Sequence, residues 1–176
     1  METRGWRDKE VTMSTKAVVL SVGLLLASSC TGEQGWTNRT ADLRIHNRAK
    51  VSVGEGIWGT LVKTEGNCMP VVDRTKCREY PVQREIVVHE YTKRDDTLHE
   101  SLPFFDEVYT ALVATVTSDE EGFFEYELEP GKYSVLVRES DHLYANGFDG
   151  QGGIAPVTVE PSKVSEVFLN LDYASY

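Results

Sequence analysis

Histidine, serine, cysteine and carboxylate side chains carry most catalytic chemistry, and their spacing limits what this chain can do. A zinc site of the His-x-x-Glu type needs a glutamate three residues after a histidine, so that two ligands meet one metal. The residues at that spacing from the four histidines are instead Ala49, Thr92, Leu102 and Ala145. No serine lies in a Gly-x-Ser-x-Gly elbow, which would expose it as a nucleophile. The sequence therefore predicts a protein that is not an enzyme and carries no cofactor.

Two of the three cysteines have the spacing of a structural disulfide. Cys68 and Cys77 are separated by eight residues, whereas Cys30 stands at the end of an apolar run. Once Cys30 is set aside, two cysteines remain, and an exported protein usually joins such a pair in a disulfide. Closing a loop of this length stabilises a fold by about 2–3 kcal/mol. A zinc site would need a second close pair of ligands, which neither cysteine has. We therefore expect a Cys68–Cys77 disulfide rather than a metal site.

The N-terminal residues have the pattern of an export signal. Residues 17–29 are apolar or small throughout and follow Lys16. This run is too short to span a bilayer, which takes about 20 residues in a helix, and it has the proportions of a signal-peptide core. We expect residues 1–29 to be a signal peptide, with Met13 as an alternative start.

The end of the apolar run resembles the lipobox of bacterial lipoproteins. It reads Leu26-Ala27-Ser28-Ser29-Cys30, and the resemblance implies that Cys30 is diacylated and becomes the mature N-terminus. Several acyl chains anchor a protein stably because each buried CH₂ contributes about 0.8 kcal/mol. Ala27 departs from the family, which prefers leucine there, and Ala27 with Ser29 also fits an ordinary cleavage site that would release a secreted or periplasmic protein. Thr31 follows the cysteine, so the resemblance implies a lipid-anchored protein of the outer membrane.

Charge and composition limit the partners. The formal net charge is −10 at pH 7, which disfavours nucleic-acid phosphates and anionic lipid surfaces. Hydrophobic residues make up 40% of the chain, enough for a core and too many for a disordered protein. We expect an acidic folded domain that reaches the membrane through its lipid and binds an envelope protein or a glycan, not a nucleic acid.

Alternating side chains predict two strands near the centre of the chain. Apolar and polar residues alternate through 123–128 and again through 133–138, and this period of two is typical of half-buried antiparallel strands. A turn at 119–122 precedes the first strand. A second turn at 130–131 separates the two, because Pro presets φ at the first corner and Gly accepts a positive φ at the next. We expect the two strands to form a hairpin.

The remaining segments complete an all-β pattern. Further strands are predicted at Gly56–Val62, Arg84–Thr92, Ala111–Thr117, Ile154–Val159 and Val164–Tyr173. Pro156 predicts that its strand lies at a sheet edge, where a missing N–H does no harm. About seven short strands without a long helix are the signature of a β-sandwich. Residues 42–50 carry a weak helical pattern, and residues 30–55 are expected to form the lipidated cysteine and a tether.

The central turns resemble a known family. The Asp-x-x-Gly-aromatic turn at 119–123 and the Pro-Gly-x-Tyr turn at 130–133 are similar to the defining segment of carboxypeptidase regulatory-like domains, which are transthyretin-like (prealbumin-like) sandwiches. The resemblance covers residues 56–171 and implies one antiparallel sandwich over residues 56–173. Because no catalytic pattern is present, we expect a binding or scaffolding module of a larger cell-envelope assembly.

Two alternatives assign a ligand to particular residues. Asp141, Asn146 and Asp149 offer oxygen atoms in a Gly-rich loop, and calcium takes six to eight such ligands, which would make a calcium-stabilised adhesion domain. The same residues are also ordinary turn formers. Trp58 can stack on a sugar ring, which would make a carbohydrate-binding module, but a lone Trp on a strand is more often part of the core. Exposure of Trp58 separates the sugar binder from the scaffold.

Overall fold

The structure, a computed structural model, describes residues 40–69 and 77–175, so the predicted signal peptide and Cys30 lie outside the described residues. In chain order the elements are α1 (Thr40–Arg48), β1 (Gly56–Asn67), β2 (Cys77–Pro81), β3 (Glu85–Glu90), β4 (Thr97–Leu98), β5 (Phe104–Phe105), β6 (Glu107–Val108), β7 (Leu112–Thr117), β8 (Phe123–Glu127), β9 (Gly131–Glu139), β10 (His142–Tyr144), β11 (Pro156–Val159) and β12 (Val164–Ser175). No helix in these two ranges is long and apolar enough to cross a membrane.

The strands form a sandwich of two main sheets. In the first sheet β1 pairs with β12 on one edge and with β8 and β2, one after the other, on the opposite edge. The second sheet has the order β5-β10-β9-β3-β7, and β11 continues beside β10 along the same edge of β9. The predicted all-β sandwich is therefore confirmed. The described residues form twelve strands rather than about seven, because five short strands were not predicted: β2, β10 and the three two-residue strands β4, β5 and β6.

Strand β1 is the centre of the first sheet and is paired on both edges. Ile57 and Leu61 are fully buried in the core between the sheets. The pairing of β1 with β12 is parallel along its whole length, from Gly56 opposite Val164 to Asn67 opposite Ser175. The sheet is thus mixed and not purely antiparallel, because the long chain between the first and last strands lets β12 return in the direction of β1.

The segment with the two central turns does not form the predicted hairpin. Strand β8 pairs with β1 in the first sheet, whereas β9 pairs with β3, β10 and β11 in the second. The chain therefore crosses from one sheet to the other at residues 128–130. Leu128 is buried at this crossing and packs with Phe124 and Val135 in the core. A hairpin and a crossing both bury alternate residues, which is why the sequence pattern did not separate them.

Residues that were expected to belong to the tether form helix α1 and pack on the first sheet. Leu43 and Asn47 lie four positions apart, share one helix face and are buried. Asn47 Nδ2 donates a hydrogen bond to Thr60 Oγ1 of β1 at 3.0 Å. The weak helical pattern was therefore correct, and the folded domain begins before the predicted boundary at Gly56.

The predicted disulfide is confirmed. Cys68 and Cys77 are bonded, with their Cα atoms 4.8 Å apart. Cys68 follows the end of β1, and Cys77 begins β2 opposite Gly66. The bond therefore closes the connection between two strands that already pair.

Candidate functional site

A slot of about 360 Å³ opens between the two sheets beside β12. One wall consists of five consecutive residues of β12, Glu166–Asn170, and the other consists of residues 144–148 and 155–157. Val137 of β9, which is buried, also lines it. Successive side chains of a strand point to opposite faces, so five consecutive residues share only the backbone edge. We call this cavity the β12 slot, because it runs along the edge of that strand.

Hydrogen bonds close the sandwich at both ends of the slot. At one end Ser165 Oγ donates to the carbonyl oxygen of Thr158 at 2.6 Å. At the other end Asn146 Nδ2 donates to the carbonyl oxygen of Asn170 at 3.2 Å. Among the described residues β12 pairs with β1 alone, so its second edge is open between these two closures.

Alternate backbone groups of β12 point away from β1 and into the slot. The carbonyl oxygen of Lys163 accepts an N–H from the start of β1 at 3.1 Å. The N–H of Asp172 instead donates to the hydroxyl of Tyr144, on the opposite side, at 2.9 Å. By alternation along the strand, the N–H and C=O groups of Glu166 and Phe168 point to the slot side. Within residues 40–69 and 77–175 these four groups have no hydrogen-bond partner there.

The polar side chains around the slot are largely occupied by other protein groups. The carboxylate of Glu166 binds the guanidinium of Arg44, with Nη2 and Oε1 2.6 Å apart. The same guanidinium lies 5.4 Å from the ring centre of Phe168. The side-chain oxygen of Asn170 accepts a hydrogen bond from Thr64 Oγ1 at 3.0 Å. What the slot offers to a ligand is therefore chiefly the backbone edge and apolar surface.

Two exposed aromatic rings flank the slot. Phe148 is 44% exposed and Phe168 is 40% exposed. The guanidinium of Arg94 lies 5.9 Å from the ring centre of Phe148 and has no carboxylate partner among the residues that the structure describes. Exposed aromatic rings beside a concave and partly apolar surface are typical of a binding site.

Asp149 fixes the loop between β10 and β11, which forms one wall of the slot. Its Oδ2 accepts hydrogen bonds from Tyr91 (2.8 Å) and Lys132 (3.0 Å), and its Oδ1 accepts from the backbone N–H groups of Gln151 (2.9 Å) and Gly153 (2.7 Å). The hydrogen bond from Lys132, followed by those from the loop backbone, holds the pKa of Asp149 well below its usual 3.8. The same contact raises the pKa of Lys132. The loop is therefore held by a carboxylate that must stay ionised.

Replacing Asp149 with alanine is expected to reduce the hydrogen-exchange protection of the Gln151 and Gly153 amides at pH 7, since both lose their acceptor. The pKa of Asp149 is lower in the folded than in the unfolded chain. The ionised group thus stabilises the loop above pH 3.8, and this contribution is lost as the pH falls below that value. In the unmodified chain the same amides should lose protection over that acidic range. Asp141→Ala is the control, and equal protection in the two variants at pH 7 would contradict the role of Asp149.

The structure does not bring the three proposed calcium ligands together. Asp141 is exposed in the turn after β9, whereas Asp149 binds Lys132 near the start of that strand. Nine residues of strand span roughly 27 Å. Asn146 uses its amide on a backbone carbonyl of β12. Among the described residues there is also no group of three or more His, Cys, Asp or Glu side chains placed to hold a metal ion. The calcium prediction was therefore wrong in its choice of ligands.

Trp58 does not provide a platform for a sugar. It is 5% exposed and lies beneath α1, beside Ala41 and Arg44. A stacking platform has to present one ring face to solvent, which a buried indole cannot do. The sugar-binding prediction was therefore wrong for this residue, and the sequence missed the more exposed Phe148 and Phe168.

The histidines do not form a complete catalytic arrangement. His89 is buried, and its Nδ1 lies 3.0 Å from a backbone carbonyl oxygen. His142 Nδ1 lies 2.9 Å from Asp106 Oδ1, and both line an open pocket that also contains Ser101. Ser101 Oγ donates to the carbonyl oxygen of Leu102 at 3.4 Å and not to His142. A serine nucleophile and its base are usually joined by a hydrogen bond, and Ser101 and His142 line this pocket without one.

Comparisons with known proteins identify no relative. No family model matches the chain, and neither a curated protein nor a solved structure matches it. The resemblance to carboxypeptidase regulatory-like domains therefore stays a prediction, which rests on the turns at 119–123 and 130–133.

Proposed function

We propose that this protein is a non-catalytic binding module of the bacterial cell envelope, and that the β12 slot holds a component of a larger envelope assembly. In this proposal, lipid on Cys30 anchors the module at the outer membrane. Without that lipid the protein is secreted or periplasmic. The slot is the observation that supports binding, because it combines an open strand edge, a concave and partly apolar lining and two exposed aromatic rings.

The local geometry of both central turns supports the proposed family. Asp119 Oδ1 accepts the N–H groups of Glu121 and Phe123, each at 2.9 Å, which gives the aspartate of the first turn a structural role. Tyr133 OH donates to the carbonyl oxygen of Glu129 at 2.9 Å, across the second turn. In both turns, therefore, a residue of the motif makes hydrogen bonds that hold the turn. These residues stabilise the fold and do not form a reactive site.

Carbohydrate binding is the second candidate. The observation that favours it is the pair of exposed rings, Phe148 and Phe168, beside a cavity of about 360 Å³. A guanidinium already lies over each ring, and the amide groups around the slot bind other protein atoms. Fewer groups therefore remain for sugar hydroxyls than the cavity size suggests.

Photo-crosslinking in the native cell tests the binding role. Benzoylphenylalanine at Phe148 should crosslink to one discrete envelope component, whereas the same group at Tyr109, 62% exposed and outside the slot lining, should not. Equal crosslinking at both positions, or none at Phe148, would contradict the proposal.

The anchor is tested separately by mass spectrometry of the mature N-terminal peptide. A lipid adduct on Cys30 is expected, and the Cys30→Ser variant should move from the membrane to the soluble fraction. An unmodified Cys30 thiol would remove the anchor from the proposal without affecting the slot.

A further inference from the structure

We propose that the occupant of the β12 slot is an extended peptide segment of a partner protein, which adds as a strand to the open edge of β12 and places an acidic group beside Phe148. This inference rests on the proposed function and names the class of partner. It is carried by the backbone geometry of β12, by the limits of its open edge and by the charge beside Phe148.

The open backbone groups have the repeat of an extended chain. Glu166 and Phe168 each direct one N–H and one C=O into the slot, and they lie two residues apart, which is about 6.6–6.8 Å along a strand. A peptide strand presents its own C=O and N–H groups at the same repeat, so it can satisfy all four. A sugar has no such repeat.

Strand β11, on the opposite wall of the slot, offers fewer free backbone groups for pairing than β12. On the edge of β11 that faces away from β9, Pro156 has no N–H to donate, and the carbonyl oxygen of Thr158 already accepts from Ser165 Oγ. A strand added to β12 would direct alternate side chains between the sheets, against Val157 and Val167. The other side chains would point to the outer face, where Phe168 lies. We therefore expect an alternating segment with apolar residues on the inner side.

The two closures of the slot favour a slim segment over a second copy of this chain. The edge is open only between the hydrogen bonds at Ser165 and Asn170. Four to five residues of an extended peptide fit this length at about 3.3 Å per residue. Edge-to-edge pairing of two copies would bring the residues that close both slots against each other, whereas an extended peptide carries no such closures.

Charge determines where in the slot the acidic group lies. The guanidinium of Arg94 stands over Phe148 and has no carboxylate partner in the part of the chain that the structure describes. Arg44, by contrast, is paired with Glu166 beside Phe168. An acidic side chain or a terminal carboxylate of the peptide would complete the pairing at Arg94.

The test begins with random heptapeptides displayed on phage and selected against the mature, disulfide-bonded chain. Selected peptides should alternate apolar and polar residues. Methylating the backbone nitrogens of a selected peptide one at a time should weaken binding at least tenfold at every second position and little at the positions between. Bound peptide should also slow the exchange of the Glu166 and Phe168 amides. A selection without enrichment, or methylation effects without this period of two, would overturn the inference.

Two substitutions at Phe168 distinguish the contribution of its backbone N–H to peptide binding from that of its ring. Phe168→Pro removes an N–H that points into the slot and leaves the ladder to β1 intact, so it should abolish peptide binding. Phe168→Ala keeps that N–H but loses the ring, so it should bind more weakly than the unmodified chain and clearly more tightly than Phe168→Pro. Equal loss of binding in the two variants would overturn the inference. If Phe168→Pro does not fold, the methylation series decides alone.

Further outcomes separate the inference from the proposed function. Arg94→Gln should weaken an acidic peptide and leave its amide counterpart unchanged. If the unmodified chain binds a glycan and Phe168→Ala does not, the ligand of the slot is a sugar and not a peptide. A discrete crosslink at Phe148 without any selected peptide would leave the binding role standing and remove only the peptide.

Discussion

Replacing Gly122 with alanine is expected to lower the free energy of unfolding by about 2–5 kcal/mol, because strain and overlap add at this position. Gly122 has a φ of +69°, and an added Cβ would overlap the carbonyl oxygen of Leu61 and lie 3.1 Å from its carbonyl carbon. The N–H of Leu61 donates to the carbonyl of Gly122 at 2.8 Å, so the turn cannot move away without losing a bond to β1. Urea denaturation of the two proteins, compared at equal m-values, measures the difference.

Gly54 supplies the matched control. It has no atom within 4 Å of an added Cβ and no positive φ. Gly54→Ala should therefore leave stability unchanged or raise it slightly, since it only reduces the freedom of the unfolded chain. If Gly122→Ala were as stable as Gly54→Ala, the close packing of the 119–122 turn against β1 would be wrong.

The sequence predicted which residues are strands more reliably than which strands pair. The alternation in β8 and β9 depends on local burial, which any sandwich imposes, so both strands were placed correctly. Their separation into different sheets depends on how Leu128 packs against distant parts of the chain. The local alternation of side chains carries no information about that packing. Helix α1 was visible only as a weak pattern, because Asn47, a polar residue, occupies one of its two buried positions.

The candidate site was harder to predict than the fold. Pro156 correctly predicted an edge for β11. The slot, however, also requires that β12 pairs with β1 alone, and that pairing joins the two ends of the domain. The exposure of Phe148 and Phe168 follows from this arrangement and has no local signal. Trp58 was chosen by residue type alone, which cannot tell a ring beneath a helix from one at the surface.

The core around β1 depends on the absence of a side chain at Gly59, which leaves room for the ring of Phe124. Phe124 is 2% exposed and lies opposite Gly59 of β1. An added Cβ on Gly59 would overlap the Phe124 ring and the carbonyl oxygen of Val167 in β12. The glycine therefore makes the space that the ring fills, and the ring is the largest side chain that links β8 to the core at this point.

Phe124→Ala is expected to cost about 3–5 kcal/mol of unfolding free energy, because the rigid backbone at Gly59 cannot collapse into the cavity. Tyr126 is the matched control, since it lies on the same face of β8 by alternation but is 37% exposed. Tyr126→Ala should cost less than about 1 kcal/mol, the range of a cross-strand pair. Urea denaturation of both variants provides the comparison. Similar losses of unfolding free energy in Phe124→Ala and Tyr126→Ala would contradict this packing. They would mean that β8 buries its whole inner face and not only the end that packs beside Gly59.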